Sequence, residues 1–233
     1  CGSNIVYAPT FTACAPSLEG HKIFGKVQEF NRGLVGVSKK AAGDKALVAG
    51  DMTTCGLMLY PMGDATFEEM YEAYLEQAKA LEAANVDLFI IETMTSIPDT
   101  RAAILACKAV SKKPVFVTFS VEEGGRTMMG NDLMAALFIC QGMGVDAFGL
   151  NCSSGPEMML EQIKRIAPYA TVPLIAKPNA GLPQIIDGKT VYNCADDEFV
   201  KCTEEFAACG VRFFGGCCGT NDGHIRALAQ KVK

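Results

Sequence analysis

Seven short apolar runs, most of them separated by stretches of helical periodicity, constrain this chain more than any other feature of its sequence. They are Asn4–Ala8, Ala46–Ala49, Asp87–Ile91, Val115–Phe119, Val145–Leu150, Pro173–Ala176 and Val211–Phe214. Strands buried on both faces read as nearly unbroken apolar runs, and parallel strands need a crossover, usually a helix. Such alternation leaves two architectures, a (β/α) barrel or a doubly wound open sheet. No Gly-x-Gly-x-x-Gly follows any run and no P-loop occurs, so the doubly wound form lacks its phosphate signature. The expectation is an α/β fold, a TIM-type (β/α)8 barrel, with residues 1–233 as one domain and no linker or low-complexity break.

Helix signals fall between the runs. Thr66-Phe67-Glu68-Glu69 has the form of a capping box and opens a helix to about Ala84, with Met70, Tyr74, Leu75, Ala78 and Leu81 on one face. Pro98 and Pro156 suit first helical turns. Asn131 or Asp132, Ala195-Asp196-Asp197 and Asn221-Asp222 open three more. Chain length allows a proper core, and 49% apolar with 20% charged residues describes a globular chain. A net charge of −5 offers no basic stripe for nucleic acid. No apolar run approaches the roughly 20 residues that span a bilayer, so no membrane role is expected. Eleven cysteines, an odd number, argue against a disulfide framework and for a reducing cytoplasm.

Chemistry in such folds gathers where the strands end. Asn151-Cys152 follows one apolar run, and Gly215-Gly216-Cys217-Cys218-Gly219 follows another. Parallel strands would bring these three thiols out at one edge. Three protein thiolates suit a catalytic zinc site, which keeps a fourth position open, whereas a structural site closes with four. Cysteine is also a common small core residue, and no CxxC pair is present, so spacing alone leaves both readings open. The flanking glycines would permit the sharp turn that lets adjacent thiols reach one metal.

Four motifs in order add to this. Gly149-Leu150-Asn151-Cys152-Ser153-Ser154-Gly155-Pro156, Lys177-Pro178-Asn179-Ala180-Gly181-Leu182-Pro183, Gly188-Lys189-Thr190-Val191-Tyr192 and Phe214-Gly215-Gly216-Cys217-Cys218-Gly219-Thr220 closely resemble the homocysteine S-methyltransferase family. Within it they are most similar to the homocysteine-binding module of cobalamin-dependent methionine synthases. The resemblance spans the chain and is densest from Gly149 onward. It implies a barrel carrying Zn2+ on Cys152, Cys217 and Cys218, which are then both metal ligands and catalytic residues.

It also implies substrate contacts. Glu92 ends the Leu88–Ile91 run, where an acid could cap a loop or bind an amine; the resemblance makes it the partner of the homocysteine amino group. Asn179 could stabilise its own turn, and the resemblance puts it at the substrate pocket. Lys177 reads equally as a solvated loop lysine or an anion contact. A free aliphatic thiol has a pKa of roughly 8.5, so coordination is what makes it a thiolate nucleophile at neutral pH. The implied reaction is zinc-dependent methylation of homocysteine to methionine, the thiol being activated as a zinc-bound thiolate. Methylcobalamin is the implied donor. The corrinoid signature Asp-x-His-x-x-Gly is absent, so the corrinoid would arrive on another domain or protein.

Two loops depart from the family pattern. Met52-Thr53-Thr54-Cys55-Gly56 stands where a Gly-Pro turn is usual, and Pro9-Thr10-Phe11 where Asn-Thr-Phe is usual. They leave room for another thiol acceptor or another donor, such as S-methylmethionine. The alternative of a different class is a non-catalytic zinc- or thiol-binding subunit of a corrinoid system; a Cys217–Cys218 redox pair is disfavoured because adjacent cysteines form strained disulfides. Cys14, Cys55, Cys107, Cys140, Cys194, Cys202 and Cys209 read as core thiols, the methionine pairs as filler, and His21 and His224 as non-ligands. Ala84-Asn85, Met143-Gly144 and Cys209-Gly210 precede strands as helix-ending left-handed residues, and Cys1-Gly2 has the same form. With seven runs instead of eight, the chain therefore reads as an N-terminally incomplete barrel lacking its first βα unit. The strands near Asn4–Ala8 and Val211–Phe214 would then flank a gap one strand wide.

Overall fold

A computed structural model describes residues 1–232. The chain divides into two compact units, Asn4–Val117 and Cys1–Ser3 together with Thr118 onward. The first unit holds strands β1 (Ile5–Ala8), β2 (Leu47–Met52) and β3 (Leu88–Met94), with helices α1 (Ala15–Gly20), α2 (Val27–Ala42), α3 (Phe67–Ala83) and α4 (Ile97–Val110). β1 pairs with β2 and β2 with β3, all parallel. Strand β4 (Val115–Phe119) gives its first three residues to this unit and its last two to the second.

The second unit continues with α5 (Leu133–Gly142), β5 (Ala147–Asn151), α6 (Pro156–Ile166), β6 (Leu174–Lys177), β7 (Gln184–Ile186) and β8 (Lys189–Val191). Helices α7 (Asp196–Phe199) and α8 (Thr203–Ala208), strand β9 (Val211–Phe214) and α9 (Asp222–Lys231) complete it. β5 pairs with β6 and β6 with β9, again parallel, whereas β7 and β8 form an antiparallel hairpin of their own. Seven parallel strands with intervening helices make an α/β fold of the TIM-barrel type with one unit fewer than eight. Among the described residues β1 pairs only with β2, and β9 only with β6.

The local reasons are the expected ones at most places. Thr66 accepts from the Glu69 amide while Glu69 reaches back to the Thr66 amide, a complete capping box on α3. Asp132 caps α5 through two backbone amides, and Asn221 caps α9. Asn85, Gly144 and Gly210 take the left-handed conformation before their strands, as does Gly2. β4 and β5 are buried along their whole length, and Phe119 packs on Phe148 at 5.8 Å between centroids.

Several elements escaped the sequence reading, among them α1, α2 and the β7–β8 hairpin. α2 has no side-chain cap, and Gly33 and Gly36 interrupt its pattern, so its helix propensity is weak and packing decides it. The β7–β8 hairpin turns on Asp187-Gly188, both at positive φ, the usual signal of a two-residue hairpin loop. The helix expected from Ala195 is also broken, into α7 and α8. No described helix is long and apolar enough to cross a membrane.

Candidate functional site

Register explains how the three thiols meet. Asn151 lies opposite Lys177, and Ala176 opposite Phe214. The β6–β9 pairing slips by one residue between Leu174 and Ile175, with Arg212 as the extra residue. The β5, β6 and β9 strands therefore end within one residue of one another, and the loops that follow them share one neighbourhood. Gly149 is needed for this: a Cβ there would sit 2.0 Å from the Ile175 carbonyl oxygen, so only glycine lets β5 approach β6 so closely.

Backbone hydrogen bonds stitch the loops together. The Cys152 amide donates to the Lys177 carbonyl at 3.1 Å, and the Asn179 amide to Ser154 at 2.9 Å. The Cys217 amide donates to Pro178 at 2.9 Å, and the Ala180 amide to Cys218 at 3.0 Å. Asn179, 3% exposed, accepts from the Cys218 amide through Oδ1 at 3.0 Å. It thus holds the Cys218 loop, not merely its own turn. Lys177 is buried at the end of β6 and is no solvated loop lysine.

The sulfurs of Cys152, Cys217 and Cys218 all lie within 4.8 Å of one another. Cys152 Sγ and Cys218 Sγ are 3.6 Å apart. Zinc–sulfur bonds of about 2.3 Å at tetrahedral angles span about 3.8 Å between sulfurs, so this donor set fits the ion. Cys152 and Ser153 both sit at positive φ, a conformation that costs a non-glycine residue energy and persists only when its surroundings enforce it. The Cys152 thiol is held well above its ordinary pKa, first by its hydrogen bond with Cys217, then by burial and the charge on Cys217. Three thiols this close resist joint ionisation unless a cation joins them. Tyr192, just beyond β8, packs against Gly219, where an added Cβ would meet its ring at 2.2 Å. Its phenol is raised in pKa, by burial and then by the charge and hydrogen bond of Cys218.

Glu92 belongs to the first unit. It is half-buried in β3, and the next residue, Thr93, has φ 58°, a genuine outlier for a β-branched side chain. Thr53 Oγ1 donates to the Glu92 carbonyl at 2.8 Å. The loop bearing Thr53 is itself anchored. The Cys55 amide donates to the Tyr74 hydroxyl at 3.0 Å, and that hydroxyl donates to Asp99.

Among the remaining cysteines Cys14, Cys55, Cys107, Cys140 and Cys202 are buried, while Cys194 and Cys209 are half-buried. His224 is committed to structure, its Nδ1 at the Asn221 cap and its Nε2 against the Cys194 carbonyl at 2.9 Å. Sequence reading passed over Thr118, Ser120 and Asn151 as site residues. The available signal was a pair of hydroxyls at two-residue spacing beside an otherwise apolar strand.

A sequence model of the homocysteine S-methyltransferase family matches residues 1–232. The chain belongs to this family. A methionine synthase of Mycobacterium leprae is 30% identical over 243 aligned positions, covering 99% of this chain and 20% of that protein. Another from Mycobacterium tuberculosis is 29% identical with the same coverage. The chain thus spans a fifth of the length of these relatives. The metallated form of the homocysteine methyltransferase MmuM from Escherichia coli superposes with a TM-score of 0.80 at 19% identity. That superposition covers 99% of this chain and 80% of the other, and at such identity it speaks for the fold.

Proposed function

We propose that this homocysteine S-methyltransferase family member methylates the thiol of homocysteine to give methionine, with Cys152, Cys217 and Cys218 as zinc ligands and catalytic residues. The observation that carries the reading is the convergence of these three sulfurs, a set one short of a closed tetrahedral site. When bound, zinc supplies a Lewis acid that lowers the pKa of an added thiol from roughly 8.5, so that its sulfur is a nucleophile at neutral pH.

The chain's own residues do the rest. Cys218 is exposed and Cys152 half-buried, which leaves the cluster open to an incoming thiol. The Glu92 carboxylate pairs with the amino group of the substrate. Asn179 fixes the Cys218 loop and faces the substrate pocket. The substrate sulfur forms a new S–CH3 bond while the donor keeps the electron pair of the bond that breaks, and the thiol proton leaves to solvent. Methylcobalamin carried on another domain or protein is the donor, a reading supported by the methionine synthase relatives, of which this chain matches only a fifth. Eleven free cysteines fit a reducing, cytoplasmic setting.

The test joins metal analysis, sulfur counting and turnover. The protein should bind about one zinc per chain, and X-ray absorption should count three sulfurs, rising to four when homocysteine is added. Methyl transfer from methylcobalamin to homocysteine should follow. A sulfur count unchanged by homocysteine would point to a different acceptor thiol, and methyl transfer by zinc-free protein would remove the metal from the reading.

A further inference from the structure

Thr118 and Ser120 stand two residues apart and so lie on the same side of the β4 chain as it leaves the sheet. Their partners on β5 and its loop, Asn151 and Ser153, show the same spacing and bracket Cys152. Thr118, fully buried, donates through Oγ1 to Asn151 Oδ1 at 2.7 Å. Asn151, 1% exposed, donates through Nδ2 to Cys217 Sγ at 3.6 Å. The Ser120 hydroxyl is hydrogen-bonded to that of Ser153, the second residue of the left-handed Cys152–Ser153 turn.

We infer that Thr118 and Ser120 are positioning residues for the thiol cluster. Thr118 acts through the Asn151 amide on the Cys217 sulfur, and Ser120 acts through Ser153 on the turn that presents Cys152. The chemistry fixes the direction of the first relay. A metal-binding thiolate only accepts, so the NH2 end of Asn151 must face it, which leaves Oδ1 to be held by a donor; the Thr118 hydroxyl is that donor. The second relay holds two consecutive non-glycine residues in a conformation they would leave if released. Cys217 and Cys152 come from different loops, so each relay sets one sulfur, and Cys218 follows Cys217 on the same loop. The inference rests on the metal reading proposed above.

The experiment is Co2+ titration of the whole chain, with competition by a chromophoric chelator and with the sulfur-to-cobalt charge-transfer band recorded. Outer groups that orient metal ligands change affinity roughly 10- to 100-fold when removed. Thr118→Val and Ser120→Ala should each weaken Co2+ binding by about that factor and alter the charge-transfer band. Thr118→Ser, which keeps the hydroxyl, should restore both. A merely structural role would lower the melting temperature and leave affinity and spectrum as in the wild type; that outcome overturns the inference while the metal site stands. Wild-type protein that takes up no Co2+ overturns the metal reading and this inference together. Should Thr118→Val fail to fold, Ser120→Ala, at a half-buried position, decides alone.

Discussion

Two regions of this molecule gather cysteine with hydrogen-bonding partners, and they do so in opposite ways. In the Asn4–Val117 unit Cys55 is sealed: fully buried, its amide is held by Tyr74, whose hydroxyl donates to Asp99. Its thiol is pushed up to about 12, first by burial and then by the charge of Asp99. In the other unit Cys152, Cys217 and Cys218 are half-buried or exposed and face one another. There the leading cause of the raised Cys152 pKa is a neighbouring thiol. Burial opposes the thiolate whatever ion is offered, whereas crowding by like groups turns into attraction once a cation sits among them. The same residue type is thus chemically silent in one unit and poised in the other.

The largest effect that can break this contrast comes from Cys152→Ser, Cys217→Ser and Cys218→Ser. Each should drop zinc well below one per chain and reduce methyl transfer by roughly a thousandfold or more, while circular dichroism stays native. Cys55→Ser should keep its metal. Full zinc retention in all three cluster variants, by elemental analysis, would erase the distinction.

Alkaline pH should expose the sealed thiols next. Cys55 and Cys140 are both raised from 9.0 to about 12. Their folded pKa values lie above the unfolded ones, so their contribution to stability is intact below about pH 9 and is lost as pH rises toward 12. Each should remove up to about 1.4 kcal/mol per pH unit in that window. Urea unfolding at a series of pH values would show the decline, and replacing both by alanine should make it shallower, with Cys107, also raised by burial, still contributing.

A smaller and more local change is expected of Glu92→Gln. Removing the charge should weaken homocysteine binding about 10- to 100-fold, read by calorimetry, with zinc content unaltered. Loss of zinc in this variant would mean that Glu92 serves the metal and not the amine. Comparable in size, but falling on the fold and not on the site, is Tyr74→Phe, which leaves the buried Asp99 carboxylate without its phenol donor. It should cost about 1–3 kcal/mol, a fall of several degrees in melting temperature, and leave metal binding untouched.

Much of this was legible in the chain. The capping box at Thr66 and the left-handed residues at Asn85, Gly144 and Gly210 act over a few residues, so local chemistry announces them. The hairpin at Asp187-Gly188 was equally readable and was passed over. α2 was not readable, because its two glycines weaken the helical pattern and only packing restores it. The thiol cluster was legible through its motifs, while its supports were not. Tyr74 stands 19 positions from Cys55 and 25 from Asp99, and nothing local links them.

The sequence by itself determined the alternation of strand and helix, the family, and the placing of each thiol just past a strand. Only the tertiary structure decided that Cys152 and Cys218, 66 positions apart, stand 3.6 Å from each other. That distance depends on the β5–β6–β9 register and its one-residue slip, and on the hydroxyls that hold the Cys152 turn in a conformation its own residues disfavour. Backbone propensity reaches a few residues along the chain. Contact between loops is set by how neighbouring strands align, a property of the pairing and not of either strand alone.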